Sequence, residues 1–161
     1  MSARLLTELI RTTNDLDYVE RFQTLAKVNL EMRNKGPTSE RLLRKAILEM
    51  DVGNYAAGLE AASDAIGLDE ESPEAYYQSA VAHVLLAFVR AGALPLAPGM
   101  QELPKDAADV LLARAIGGFR EAVRLNPGDE EAAEDLAALD RFVAEHTDVE
   151  ALMAALRDHV L

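Results

Sequence analysis

A chain of 161 residues has room for one domain with a true hydrophobic core and not for two of ordinary size. With 50% of its residues apolar and 27% charged, it reads as a chain that folds by itself. It holds no cysteine, which excludes disulfides, thiolate zinc or iron–sulfur sites and thiol nucleophiles, and fits a reducing compartment. Sixteen basic against twenty-eight acidic side chains leave a net charge of −12. Such a charge repels phosphate backbones and anionic lipid, so neither nucleic acid nor a membrane is an expected partner. The acidity gathers toward the end of the chain: residues 1–50 carry nine Lys/Arg and seven Asp/Glu, residues 128–161 two and ten.

Aromatic residues make up only 5% and Trp is absent, while Ala and Leu dominate the apolar content, which favours packed helices over strands. The opening Met1-Ser2-Ala3-Arg4-Leu5-Leu6 has no long apolar run behind it, so neither a signal peptide nor a membrane span is expected and a cytoplasmic location is. A first helix is expected over Ser2–Arg11, with Leu5, Leu6, Leu9 and Ile10 on one face. A second starts at Asn14-Asp15 and runs to about Lys35, with Leu16, Val19, Phe22, Leu25, Ala26 and Leu30 inward, and Gly36-Pro37 ends it. Ser39 begins a third, striped by Leu42, Leu43, Ala46, Ile47 and Met50 and broken at Gly53. Asn54 is the expected N-cap of a fourth over Tyr55–Gly67.

Ser72-Pro73-Glu74 is the clearest helix start in the chain, since Ser caps free N–H groups and Pro at the first helical position needs no hydrogen bond. That helix is expected to reach Ala91. Residues 92–105 hold three prolines and two glycines and form the one long loop. Asp106 reopens helix to about Leu125, Asn126-Pro127-Gly128 stops it, and Asp129 starts another ending near His146. Thr147-x-x-Glu150 is a capping box that opens a last helix. The expectation is an all-α protein of about eight helices without strands.

Internal similarity adds to this. Asn54-Tyr55-Ala-Ala-Gly58-Leu59-x-x-Ala62-x-x-Ala65-Ile66-x-Leu68-Asp69 returns more loosely as Leu112-x-x-Ala115-Ile116-x-x-Phe119-x-x-Ala122-Val123-x-Leu125-Asn126-Pro127. The second copy resembles the second helix of a tetratricopeptide repeat: small Ala115, large Phe119, small Ala122 and a terminating Pro127. Tyr76 with Ala80, and Leu136 with Ala137, resemble the large-then-small pairs of the family's first helices. The repeats are degenerate, with Gly58, Ala62 and Glu70 where the family has Ala, an aromatic and Pro, and with Lys45 and Ser79 in place of its Leu.

The resemblance implies antiparallel helix pairs in a short right-handed solenoid. One domain then spans 1–161: an N-terminal helix pair over 1–37, degenerate repeats over 38–146 interrupted by the loop at 92–105, and a C-terminal capping helix over 147–161. It also implies a concave face built by the first helix of each pair, on which partners bind. Carried over, that face holds Leu43, Arg44 and Ile47, then Tyr77, Gln78, Val81 and Val84, then Glu134, Asp135 and Phe142. It is apolar in the middle and acidic at one end, so the expected partner is a protein helix or peptide with apolar anchors and basic residues. The family's clamp for C-terminal carboxylates uses Lys, Arg and Asn; Leu43, Ile47, Tyr77, Val81, Glu131 and Glu134 stand there instead, which disfavours acidic tails. The same groove residues have a second reading as ordinary core beneath the N-terminal helices.

The 92–105 loop offers Leu94, Leu96, Met100 and Leu103 as a docking strip, or as side chains that fold back. His83, His146 and His159 share no ligand spacing, and His83 within an apolar helix reads as a satisfied, partly buried side chain. The acidic runs Asp69-Glu70-Glu71 and Asp129-Glu130-Glu131 precede helices, where the helix dipole favours them, and neither has a calcium-loop pattern. No phosphate loop, nucleophile elbow or dinucleotide turn occurs, so no enzyme activity, metal or cofactor is expected. The leading expectation is a protein-binding adaptor or scaffold. The alternatives are a homo-oligomeric module, a homodimer for example, pairing through Val149, Leu152, Met153, Leu156, Val160 and Leu161, and a helical pocket for a small apolar ligand.

Overall fold

The computed structural model describes Ser2, Arg4, Leu5, residues 18–92, residues 102–145 and Ala154. Every regular element among these is helical: α1 (Tyr18–Lys35), α2 (Ser39–Asp51), α3 (Tyr55–Leu68), α4 (Pro73–Arg90), α5 (Ala108–Leu125) and α6 (Glu130–Glu145). The helix expected over Ser2–Arg11 is described only at Ser2, Arg4 and Leu5, the last two helical. The final helix from Thr147, with its apolar side chains, lies outside the described residues except at Ala154, as do Leu94, Leu96 and Met100 of the long loop.

Local chemistry accounts for the helix ends. Thr38 caps α2, its hydroxyl accepting from the Arg41 amide at 3.1 Å, and Ser72 caps α4 by accepting from Ala75 N at 3.2 Å with Pro73 in the first turn. Asp129 does the same for α6 through the Ala132 amide, 3.1 Å away. Asn54 sits at the start of α3 but does not cap it. Its side-chain amide turns back to donate to Glu49 Oε2 at 3.0 Å, so the first turn of α3 has no side-chain acceptor.

Each helix packs on its chain neighbour, and α4 is the centre, touching α2, α3 and α5. Its sequence explains the position: from Ser79 to Val89 every residue except His83 is buried, and a helix apolar on nearly all sides has to be enclosed. Close approach on the α2–α3 side depends on Gly58, where a Cβ would lie 2.6 Å from Met50 Cγ and 3.1 Å from the Ala46 carbonyl oxygen. Between α4 and α5, Ala115, Phe119 and Ala122 are buried as their spacing predicted. The Phe119 ring meets Tyr77 edge to face, centroids 5.2 Å apart, an arrangement worth about 0.5–1.5 kcal/mol beyond the area it buries.

The inward face of α1 differs from the expected one. Val19, Phe22 and Leu30 are exposed, and Ala26 with them, while Leu25 and Val28 are buried. The helix carries two apolar stripes, and the one that packs is flanked by ion pairs to α2. Arg21 reaches Asp51 on α2, its Nη1 lying 3.7 Å from Oδ2 and 3.3 Å from the carbonyl oxygen. On the same side Glu31 accepts from Arg41 at 3.2 Å and lies 3.7 Å from Arg44. With Arg21 and Glu31 toward α2, residues 25, 28 and 32 turn inward at helical spacing and the other stripe turns out. No helix among the described residues is long and apolar enough to cross a membrane.

Candidate functional site

The residues expected on a concave face divide into two groups. Tyr77, Gln78, Val81 and Val84 of α4 and Asp135 of α6 are each at most 1% exposed. On α2 and α6, Arg44 and Glu134 are exposed and Leu43, Ile47 and Phe142 half-buried. An open surface along α4 is therefore not what the chain forms. Val81 and Val84 belong to the main apolar cluster with Leu85, Leu112 and Phe119, and Tyr77 and Asp135 lie beneath the segment that carries Ser2, Arg4 and Leu5. Arg44 takes part in the Glu31 contact to α1.

That segment and the starts of α4 and α6 form the densest polar arrangement among the described residues. Asp135 Oδ1 accepts the Ser2 backbone amide at 2.7 Å, and Oδ2 accepts the Ser2 hydroxyl at 2.8 Å and the Tyr77 hydroxyl at 2.9 Å. Burial raises the Asp135 pKa above its ordinary value, against the pull of these donors. The Ser2 hydroxyl also accepts from the Leu5 amide at 3.1 Å, capping the helical turn it begins.

Arg4 extends the contact to α4. Its Nη2 donates to both oxygens of Glu74, at 2.7 and 2.6 Å, and Nη1 lies 3.7 Å from Asp129 Oδ2 at the start of α6. The guanidinium carbon is 3.6 Å from the Tyr77 ring centroid, over the negative face of the ring. Burial would lower the Arg4 pKa, but Glu74, Tyr77 and Asp129 outweigh it and hold it above the ordinary value. Glu74 is itself positioned one turn ahead of Gln78, whose amide donates to Glu74 Oε1 at 2.9 Å. Leu5 is wholly buried in the cluster that holds Tyr77, Phe119 and Leu139.

These groups make a cradle with three complementary parts: a buried carboxylate for backbone and hydroxyl donors, an acidic and aromatic seat for a guanidinium, and an apolar floor. No group of three metal-ligating side chains occurs among the described residues. Sequence reading reached Tyr77 and Asp135 but assigned Ser2, Arg4, Glu74 and Asp129 only to helix starts. A signal was present: Asp135 lies on the face of α6 that carries Ala132, Ala138 and Leu139, all buried, and a carboxylate there requires donors.

A second hollow, open and of about 300 Å³, lies between α3, α4 and α5, lined by Leu59, Leu86, Leu111 and Arg114 and flanked by residues 102–106. Leu103 of the expected docking strip borders it and is exposed. His83 is half-buried with Nδ1 2.9 Å from the Ser79 carbonyl oxygen. Comparison with known proteins finds no matching family model, no matching curated protein and no matching solved structure.

Proposed function

We propose that this chain is a protein-binding adaptor or scaffold, cytoplasmic and without catalysis of its own, built as a degenerate array of tetratricopeptide-like helix pairs. The pairing supports the architecture: α2 begins at Ser39 and α4 at Pro73, 34 positions apart, which is the period of such repeats. Consecutive helices packing on their neighbours and the buried small-large-small set Ala115, Phe119 and Ala122 belong to the same picture. The observation that carries the function is the cradle between α4 and α6. A segment bearing a hydroxyl, an arginine and a leucine is held there by side chains of two separate helices, as an adaptor holds a peptide.

Affinity capture from the source cell tests this, with wild-type bait beside a Glu131→Lys, Glu134→Lys double variant. Both residues are exposed, so the substitutions leave the core intact and reverse the charge at the acidic end of the array. Loss of a stoichiometric partner from the variant alone is the expected result; the same set of captured proteins with both baits removes the reading. A homo-oligomeric role is favoured by a different observation, the exposed Val19, Phe22 and Leu30 of α1. A monomeric mass by light scattering at high concentration removes that one.

A further inference from the structure

We infer that the cradle formed by Glu74, Tyr77, Asp129 and Asp135 is a peptide-recognition site for a partner segment of the pattern hydroxyl, any residue, arginine, leucine, and that the chain's own Ser2, Arg4 and Leu5 occupy it as an internal competitor. The inference rests on the adaptor reading and specifies its partner and its regulation. Each position of the pattern has a matching receptor. The hydroxyl residue places a backbone amide and an O–H on Asp135, at 2.7 and 2.8 Å. Two residues on, the guanidinium meets both oxygens of Glu74 and lies over Tyr77, and the next side chain fills the apolar floor.

The segment joins the core through Leu5, which belongs to the main apolar cluster, and meets the rim through Arg4. Of its contacts, those of Arg4 are made at the rim, where the Arg4, Glu74 and Asp129 side chains keep 26%, 43% and 24% of their exposure. Charged contacts at such a rim are modest in strength and exchange with those of an equivalent ligand. A tethered segment competes at a high effective concentration, so an external segment of the same pattern displaces it from the wild-type chain with the help of further contacts, such as those to the acidic end of the array, and enters readily when the internal one is weakened. Arginine is specified over lysine because the seat combines two carboxylates with an aromatic face.

The test uses the full chain with Arg4→Glu, which sets a carboxylate against Glu74 and Asp129, and Arg4→Ala as a milder second variant. The probe is a fluorescent synthetic peptide of residues 1–12, read by anisotropy, with circular dichroism to follow the fold. Both variants are expected to stay helical and to bind the peptide at least tenfold more tightly than wild type does. The same peptide carrying Arg4→Ala is expected to bind at least tenfold more weakly. Helical variants that do not bind the peptide, or loss of the fold in both variants, overturn the inference. A doubled mass without added peptide also overturns it, because the occupant would then be a second copy. Loss of a partner by the Glu131→Lys, Glu134→Lys bait together with a failed peptide experiment leaves the adaptor reading standing and moves its site elsewhere.

Discussion

Gly118 of α5 lies directly against Ala80 of α4: a Cβ at position 118 would stand 3.0 Å from the Ala80 methyl and 3.1 Å from the Tyr76 carbonyl oxygen. Backbone cannot yield as a flexible side chain does, so adding that one methyl forces the two helices apart. Gly118→Ala is expected to destabilise the fold by about 1–3 kcal/mol through overpacking, although alanine is the better helix former. Gly117, next to it, faces open space: a Cβ there would meet nothing within 4 Å. The propensity gain then acts alone, and Gly117→Ala is expected to stabilise by about 0.5–1 kcal/mol. Urea unfolding of the two variants should give shifts of opposite sign; equal signs contradict the packing.

The orientation of α1 makes a second comparison. Leu25→Ala removes a side chain that is 6% exposed and is expected to cost about 2–5 kcal/mol. Phe22→Ser changes a larger residue that is 50% exposed, with an expected effect within about 0.5 kcal/mol. Thermal denaturation of both, at one pH and concentration, distinguishes the observed orientation from one with Phe22 inward.

His83 is expected to titrate below its ordinary value of 6.5, because burial disfavours the imidazolium and Arg114 adds to this, while the Ser79 carbonyl and Asp106 oppose it. A histidine that binds its proton less tightly when folded supports stability fully above the unfolded value, and that support is lost as pH falls through the folded one. Proton NMR, with the His83→Gln spectrum to assign the resonance, should place the midpoint below 6.5. Wild type should also lose stability on acidification that the variant does not lose.

Asp135 has the opposite sign. Its carboxyl holds a proton more tightly in the folded chain than in the unfolded one, where the ordinary value is 3.8. Acidification through the interval above that value therefore favours the folded state, and raising the pH through it removes stability. The unfolding free energy of wild type minus that of Asp135→Asn is expected to rise as pH is lowered through this interval. A difference that stays level or falls would mean that the three donors, and not burial, govern the group.

The helical class, five described helix starts within two residues, and the small-large-small contact of Ala115, Phe119 and Ala122 were legible from the sequence. Those features depend on neighbours a few positions apart, and caps such as Ser72 and breakers such as Gly36-Pro37 act at that range. Tyr77 and Asp135 were singled out only as positions that the family resemblance carries onto one face. What pairs with them was not legible: Ser2 and Asp135 are 133 positions apart, and no local pattern tells a buried carboxylate where its donors come from. The rotation of α1 was decided in the same way, since both of its stripes satisfy helical periodicity and packing on α2 fixes which is buried, with Arg21 set against Asp51 and Glu31 against Arg41 beside it. Local sequence determined which segments are helices and which faces could be buried; the tertiary structure decided which face of α1 was buried and which segment filled the cradle, because those choices are made by contacts between residues distant along the chain.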